Sequence, residues 1–198
     1  MQPLSRTDVL IVAAHAPEMA GLRPYLSDQL IGEIRGLAVR GKAVGIGMGV
    51  AGAAAARGIL ATQPRAVQLV SHAVQARRSE VPAPMQTQLE ANPMLVAGLA
   101  SVGGRVFAAP VANTLARTVD DTVAAAVHPA TGCQAENLEA FAVGQACKAS
   151  EIPFVAVLGV SNIVGSTGAQ DWMQFQRAAV NAAAETIVGW IQRGAQGL

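Results

Sequence analysis

Two uninterrupted apolar runs, DVLIVAA at residues 8–14 and FVAVLGV at residues 154–160, restrict the fold of this chain more than any other feature. Both are strand-sized, and neither alternates apolar with polar residues. A strand with one wet face alternates, whereas a strand buried on both faces reads as continuous hydrophobic sequence and belongs to a mainly parallel sheet covered by helices. AVQLV at 66–70 is a third run of this kind, and GRVFAAPV at 104–111 is a further strand candidate. Ligands of open α/β sheets sit beyond the carboxyl ends of the strands. The polar residues found there are therefore the first site candidates: Glu18 after the first strand, Ser71-His72 after the third, Asn113-Thr114 after the fourth, and Ser161-Asn162 after the last.

The segments between these strands read mostly as helix. Residues 137–149 are good or tolerable helix formers, with Lys148 near the end, where a cation suits the macrodipole. Pro153 then stops the helix. Glu136 and Glu139 stand at its start, so both ends of this helix–strand unit are expected to face one pocket. A short helix is expected over 19–26, and another over 118–127 with Asp120 and Asp121 as caps. A final helix begins near Asp171, with a core-facing stripe of Trp172, Phe175, Ala179, Ala182, Thr186 and Trp190. Residues 37–46 read as two strand pieces around a hairpin turn at Gly41-Lys42. The polar stretch 77–93 reads as a loop, a short helix or a mobile cover.

Gly47, Gly49 and Gly52 spell GxGxxG before an alanine-rich helix. A dinucleotide site is set aside, because the preceding strand is not the first of the chain and no acidic residue ends a strand about 20 positions on. A glycine loop at a helix N-terminus still offers backbone N–H groups to an anion or a hydroxyl.

Composition removes several function classes. With 198 residues a single domain over 1–198 is expected. Net charge is +1 and 4% of residues are aromatic, without a basic stripe, so nucleic acid is not an expected partner. No apolar run reaches bilayer length, and the N-terminus lacks the pattern of a signal peptide. No His, Cys, Asp or Glu group has metal-ligand spacing. Cys133 and Cys147 are too few for a disulfide scaffold, so the expected location is cytoplasmic and no cofactor is expected. Charged residues make up 14% of the chain, against about 25% in ordinary soluble domains. That shortage points to tight packing and a buried subunit interface.

Taken in order, these residues resemble the nucleoside phosphorylase and nucleosidase superfamily over nearly the whole chain. VLIVAAHAPEMAGL is similar to the first strand and glutamate of the nucleosidases, and GMGVAGAAAA to their GxG loop and helix. ENLEAFAVGQAC resembles the family's acidic helix start, with Leu138 in a methionine position. PFVAVLGVSNIVG resembles its strand and Ser-Asp segment, with Asn162 where many members carry Asp. The Ser161 to Gly165 form with a later Trp172 is most similar to futalosine hydrolases, which release hypoxanthine in a menaquinone pathway. His72 departs from the family, which usually has Ser there.

The resemblance implies an α/β fold, a three-layer αβα arrangement around a central mixed, mainly parallel twisted sheet. It implies a purine nucleosidase that cleaves the N-glycosidic bond of a 6-oxopurine nucleoside and works as a homo-oligomer. Glu18 would activate water, Glu139 would hold the ribose hydroxyls and Asn162 would face the base. Ser161 would orient Asn162 and Leu138 would pack beneath the sugar, with Asn137, His72, Asn113, Gly47 and Gly49 completing the substrate contacts. The alternatives are a phosphate-dependent phosphorylase, in which the Gly47–Gly49 loop cradles phosphate, and a nucleoside-binding homologue without turnover.

Overall fold

The structure, a computed structural model, describes residues 6–74 and 88–198. Strand β1 (Val9–Ala13) is buried along its whole length, as its sequence demands. Its side chains go alternately to two cores. Val9, Ile11 and Ala13 join one with Val180, Ile187 and Trp190, and Leu10 and Val12 join another with Ala51, Ala55 and Val143. The first core lies under helix α5 (Gly168–Gln192), and the second under α1 (Met48–Thr62) and α4 (Ala140–Ala149). The result is three layers, helices on both faces of a sheet.

The remaining strands are β2 (Ile31–Ile34), β3 (Leu37–Ala43), β4 (Ala66–Val74), β5 (Val111–Asn113), β6 (Ala135–Asn137) and β7 (Phe154–Asn162). They run in the order β2-β3-β1-β4-β6-β5, with β7 also paired to β4. The pairings β1–β3, β1–β4, β4–β7 and β5–β6 are parallel, while β2–β3 and β4–β6 are antiparallel. The sheet is thus mixed and mainly parallel, as the apolar runs require.

Several boundaries differ from the sequence-based expectation, each for a physical reason. β3 runs unbroken through Gly41-Lys42, because those residues stay in register with Ile11 and Val12 of β1. The hairpin turn lies instead at Arg35-Gly36, both at positive φ (53° and 80°), the twist that a two-residue hairpin needs. β4 continues through Ser71-His72 to Val74, and β7 through Ser161-Asn162, because the two strands pair from Val67–Phe154 to Val74–Asn162, with one register shift that leaves Ser161 without a register partner. Of the run at 104–111 only Val111 is in a strand. Residues 19–26 form no α-helix; a 3₁₀ helix spans Ala16–Leu22.

Helix α2 (Pro93–Ala100) is opened by Asn92, whose side chain accepts from Met94 N and Leu95 N at 3.0 and 3.1 Å. The rest of the polar stretch before it lies largely outside the described residues. Helix α3 (Asp121–Thr131) starts three residues later than expected. Asp120 caps it, accepting from Thr122 N and Val123 N at 2.8 Å. Asp121 does not cap the helix but accepts from Ser166 N and Oγ, both at 2.8 Å.

On α5 the buried face is carried by Ala179, Val180, Ala183, Ala184, Ile187, Val188, Trp190 and Ile191. Phe175 is exposed, so the core stripe is rotated from the expected one and begins only at the second half of the helix. Trp190 is buried and donates Nε1–H to Gln196 O at 2.9 Å. Cys147 is fully buried in α4, and burial pushes its thiol up to about 12. No helix among the described residues is long and apolar enough to cross a membrane.

Small residues let the layers approach closely. Gly52 of α1 faces Ala142 of α4, and Gly159 of β7 lies directly against the Ala179 backbone of α5, where an added Cβ would stand 2.9 Å from Cα. Replacing Gly159 with alanine therefore forces sheet and helix apart. The expected loss is about 1–3 kcal/mol, read as a lower urea midpoint with an unchanged slope.

Candidate active site

The sequence-predicted residues gather at the carboxyl ends of β1, β4 and β7 and around the starts of α1 and α4. Beyond β1, Val44 N and Gly45 N donate to Ala13 O and Ala14 O at 2.8 Å, which brings the chain after β3 alongside. His15 is extended (φ −143°, ψ 161°), and Pro17 sits in the first turn of the 3₁₀ helix. Pro17 suits that position because its missing N–H would have no partner there. The turn folds Glu18 back over the strand end, leaving it 1% exposed. Glu18 Oε2 accepts from His15 N at 3.2 Å and lies 3.2 Å from His15 Nδ1.

Two residues past Gly45, the backbone reaches Gly47 at φ 86°, a left-handed conformation that glycine adopts without steric cost. Its N–H points at Glu139 and donates to Oε1 at 2.9 Å, across 92 residues of sequence. Gly47 is the N-cap of α1 and Glu139 the N-cap of α4, so two helix N-termini meet at one buried carboxylate. Their partial positive charges suit an anion. Gly49 lies inside the first turn of α1, and neither it nor Gly47 has any atom within 4 Å of where a Cβ would stand.

Asn137 holds the other side of Glu139. Its Nδ2 donates to Oε2 at 3.1 Å, and its Oδ1 accepts from Glu139 N and Ala140 N at 2.8 and 2.7 Å. This Asx turn is the reason α4 begins at Ala140 and not at Asn137, which ends β6. Asn113 satisfies the next amide, accepting from Phe141 N at 2.7 Å. Asn137 and Asn113 are register partners in β6 and β5, so the two strands aim both side chains at one helix start. Leu138, between Asn137 and Glu139, is half-buried. Glu136 is fully buried and faces away from this cluster, accepting from Thr118 N and Oγ1 at 3.0 and 2.7 Å.

At the end of β7, Ser161 Oγ donates to Asn162 Oδ1 at 2.7 Å, and Asn162 Nδ2 donates to Ile163 O at 2.8 Å. The Ile163 carbonyl can only accept, which settles which way the amide faces. Val74 is the register partner of both Glu136 and Asn162, so one point of β4 holds the β6 and β7 ends together. His72 lies inside β4, not beyond it, and its side chain lies outside what the structure describes.

Gly47, Glu139 and Asn137 are therefore one hydrogen-bonded unit, with Asn113 beside it on the Phe141 amide, and Ser161–Asn162 are a second. The sequence reasoning did not single out His15 as a site residue. Its position directly after a buried strand, three residues before an acid, is the signal that marks it.

No family model and no curated protein matches the sequence. Solved structures do match. A 5′-methylthioadenosine/S-adenosylhomocysteine nucleosidase from Neisseria meningitidis, in complex with methylthio-immucillin-A, superposes with a TM-score of 0.82 at 17% identity, over 94% of this chain and 99% of that one. The corresponding Streptococcus pneumoniae enzyme gives 0.81 at 16%, over 94% and 99%. A futalosine hydrolase mutant from Helicobacter pylori gives 0.81 at 11%, again over 94% and 99%. The chain has the nucleosidase fold. Within that fold, Asn137 and Asn113 are both occupied in starting α4, and Asn137 also holds Glu139. Asn137→Ala removes the Asx turn and one partner of a buried carboxylate. A loss of about 1–2 kcal/mol is expected in urea denaturation, whereas Leu138→Met should stay within about 1 kcal/mol.

Proposed function

We propose that this protein is a purine nucleosidase that hydrolyses the N-glycosidic bond of a 6-oxopurine nucleoside. The observation that carries the reading is the state of Glu139. It is 3% exposed, and each of its oxygens accepts one hydrogen bond from the protein, from Gly47 N and Asn137 Nδ2. A carboxylate has about four acceptor positions, so about two remain, the number that the vicinal hydroxyls of a ribose would fill. Cleavage of the bond develops positive charge on the sugar, which an adjacent ionised carboxylate stabilises.

Glu18 acts as the general base on the attacking water. Asn162 meets the departing purine. Its carbonyl is taken by Ser161 and one N–H by Ile163 O, so the group it offers outward is an N–H donor. The N7–O6 edge of a 6-oxopurine presents two acceptors to such a donor, while a 6-aminopurine presents an N–H beside N7. An amide cannot protonate N7, so it lowers the barrier by hydrogen bonding to the leaving group. Hydrolysis is favoured over phosphorolysis because the Gly47 N–H is committed to a carboxylate. Phosphate at that loop would stand beside a like charge. The shared fold with nucleosidases supports the same reading. A homo-oligomer would take the exposed Val160, Ile163, Met173 and Phe175 out of water.

Purine release from futalosine, inosine, adenosine and methylthioadenosine, each with and without phosphate, tests this. Hypoxanthine release without phosphate is expected. Release only with phosphate would make the protein a phosphorylase, and a melting shift without release would make it a binding protein. Glu139→Gln should lower kcat by about 100-fold or more while circular dichroism stays unchanged; wild-type turnover in that variant would remove the ribose role.

A further inference from the structure

Glu18 is buried, and a general base in that position must hold one oxygen toward the water it activates. Two contacts from a single residue converge on its other oxygen. The His15 amide donates to Oε2 at 3.2 Å, and the His15 imidazole Nδ1 stands 3.2 Å from the same atom. Nδ1 is itself buried and lies outside hydrogen-bond geometry, although the ring as a whole is partly exposed, with 29% of the side chain in contact with solvent. Buried polar atoms seek partners. The carboxylate oxygen stands within reach of Nδ1 at 3.2 Å, and catalytic hydrogen bonds are often loose before substrate binds. The backbone supports the pairing. His15 is held extended by the end of β1, and Glu18 N donates to His15 O at 3.1 Å, so both residues are fixed relative to each other through the 3₁₀ turn.

We propose that His15 is a positioning residue that acts through Glu18. Its imidazole anchors Oε2 and thereby sets the direction of the carboxylate toward the nucleophilic water. This rests on the reading of Glu18 as the base and assigns that base a partner. The role belongs to Nδ1, the ring nitrogen nearer the backbone. An asparagine amide nitrogen can occupy nearly the same place, and an alanine leaves it empty.

The test is a set of variants assayed for purine release from the 6-oxopurine nucleoside turned over best by the wild type. His15→Ala should lower kcat about 10- to 100-fold with KM within about twofold, since the residue positions a base and does not bind the ribose. His15→Asn should restore kcat to within a few-fold of wild type. Adding His15→Ala to Glu18→Gln should cost nothing further, because a residue acting through Glu18 has nothing left to position. An undiminished kcat in His15→Ala, no rescue by asparagine, or an additive loss in the double variant would each overturn the proposal. A second readout does not depend on turnover. The His15 imidazole ¹⁵N signals should move in Glu18→Gln, and unchanged signals would show that the pair does not form. If those signals move while Glu18→Gln remains fully active, the pair stands, but the proposal fails with the base assignment. If Glu18→Gln is inactive and the signals do not move, the base assignment stands and His15 has no part in it.

Discussion

The hydrogen bond from Gly47 N to Glu139 Oε1 joins the two halves of the molecule at the starts of α1 and α4. On one side stand β1, β3 and α1, and on the other β6, α4 and β7. Each half brings its own helix N-terminus, and the carboxylate lies between them. A buried acid without partners would carry a desolvation cost of several kcal/mol. Here one backbone amide and one side-chain amide meet it, and about two acceptor positions remain for a ligand. The same contact therefore keeps the acid in the fold and leaves it able to bind.

The approach of those two helix starts depends on small residues. Gly52 and Ala142 allow α1 and α4 to run close together, and Gly159 allows α5 to lie on β7. Alanine and glycine enrichment, which at first sight says little about the fold, is in this chain what sets the spacing of the layers.

How much could be read from the residues depends on what kind of force shapes each element. β1 was legible because burial on both faces leaves a continuous apolar run; β7 appears where such a run stands too, but its middle is only half-buried and Val160 is exposed. The carboxyl ends of β4 and β7 were not legible, because Ser71-His72 stay in strand by pairing with Leu158-Gly159 and Asn162 by pairing with Val74, contacts between distant segments. The three residues of β6 were hidden for a similar reason: Ala-Glu-Asn before an apolar run looks like a helix start, and the neighbours β4 and β5 hold it extended. The Arg35-Gly36 turn needed an arginine at positive φ, which residue type does not announce. Glu18, Glu139 and Asn162 were visible from position alone, beyond apolar strands or at a helix start. Asn137 serves the start of α4 through a local Asx turn, but the help of Asn113 comes from 28 residues away and no local pattern carried it.

The 92-residue span between Gly47 and Glu139 has a consequence for the order in which the protein is made. At about 5–20 residues per second of synthesis, roughly 5–18 s pass between the appearance of the donor and of its acceptor. During that interval the glycine loop is hydrated, and no carboxylate is present to receive it. Contacts of such sequence separation form late in folding. The pocket is accordingly a last product of the nascent chain: β7 and α5 must leave the ribosome before both walls exist. Until then only one wall of the cluster around Glu139 is in place.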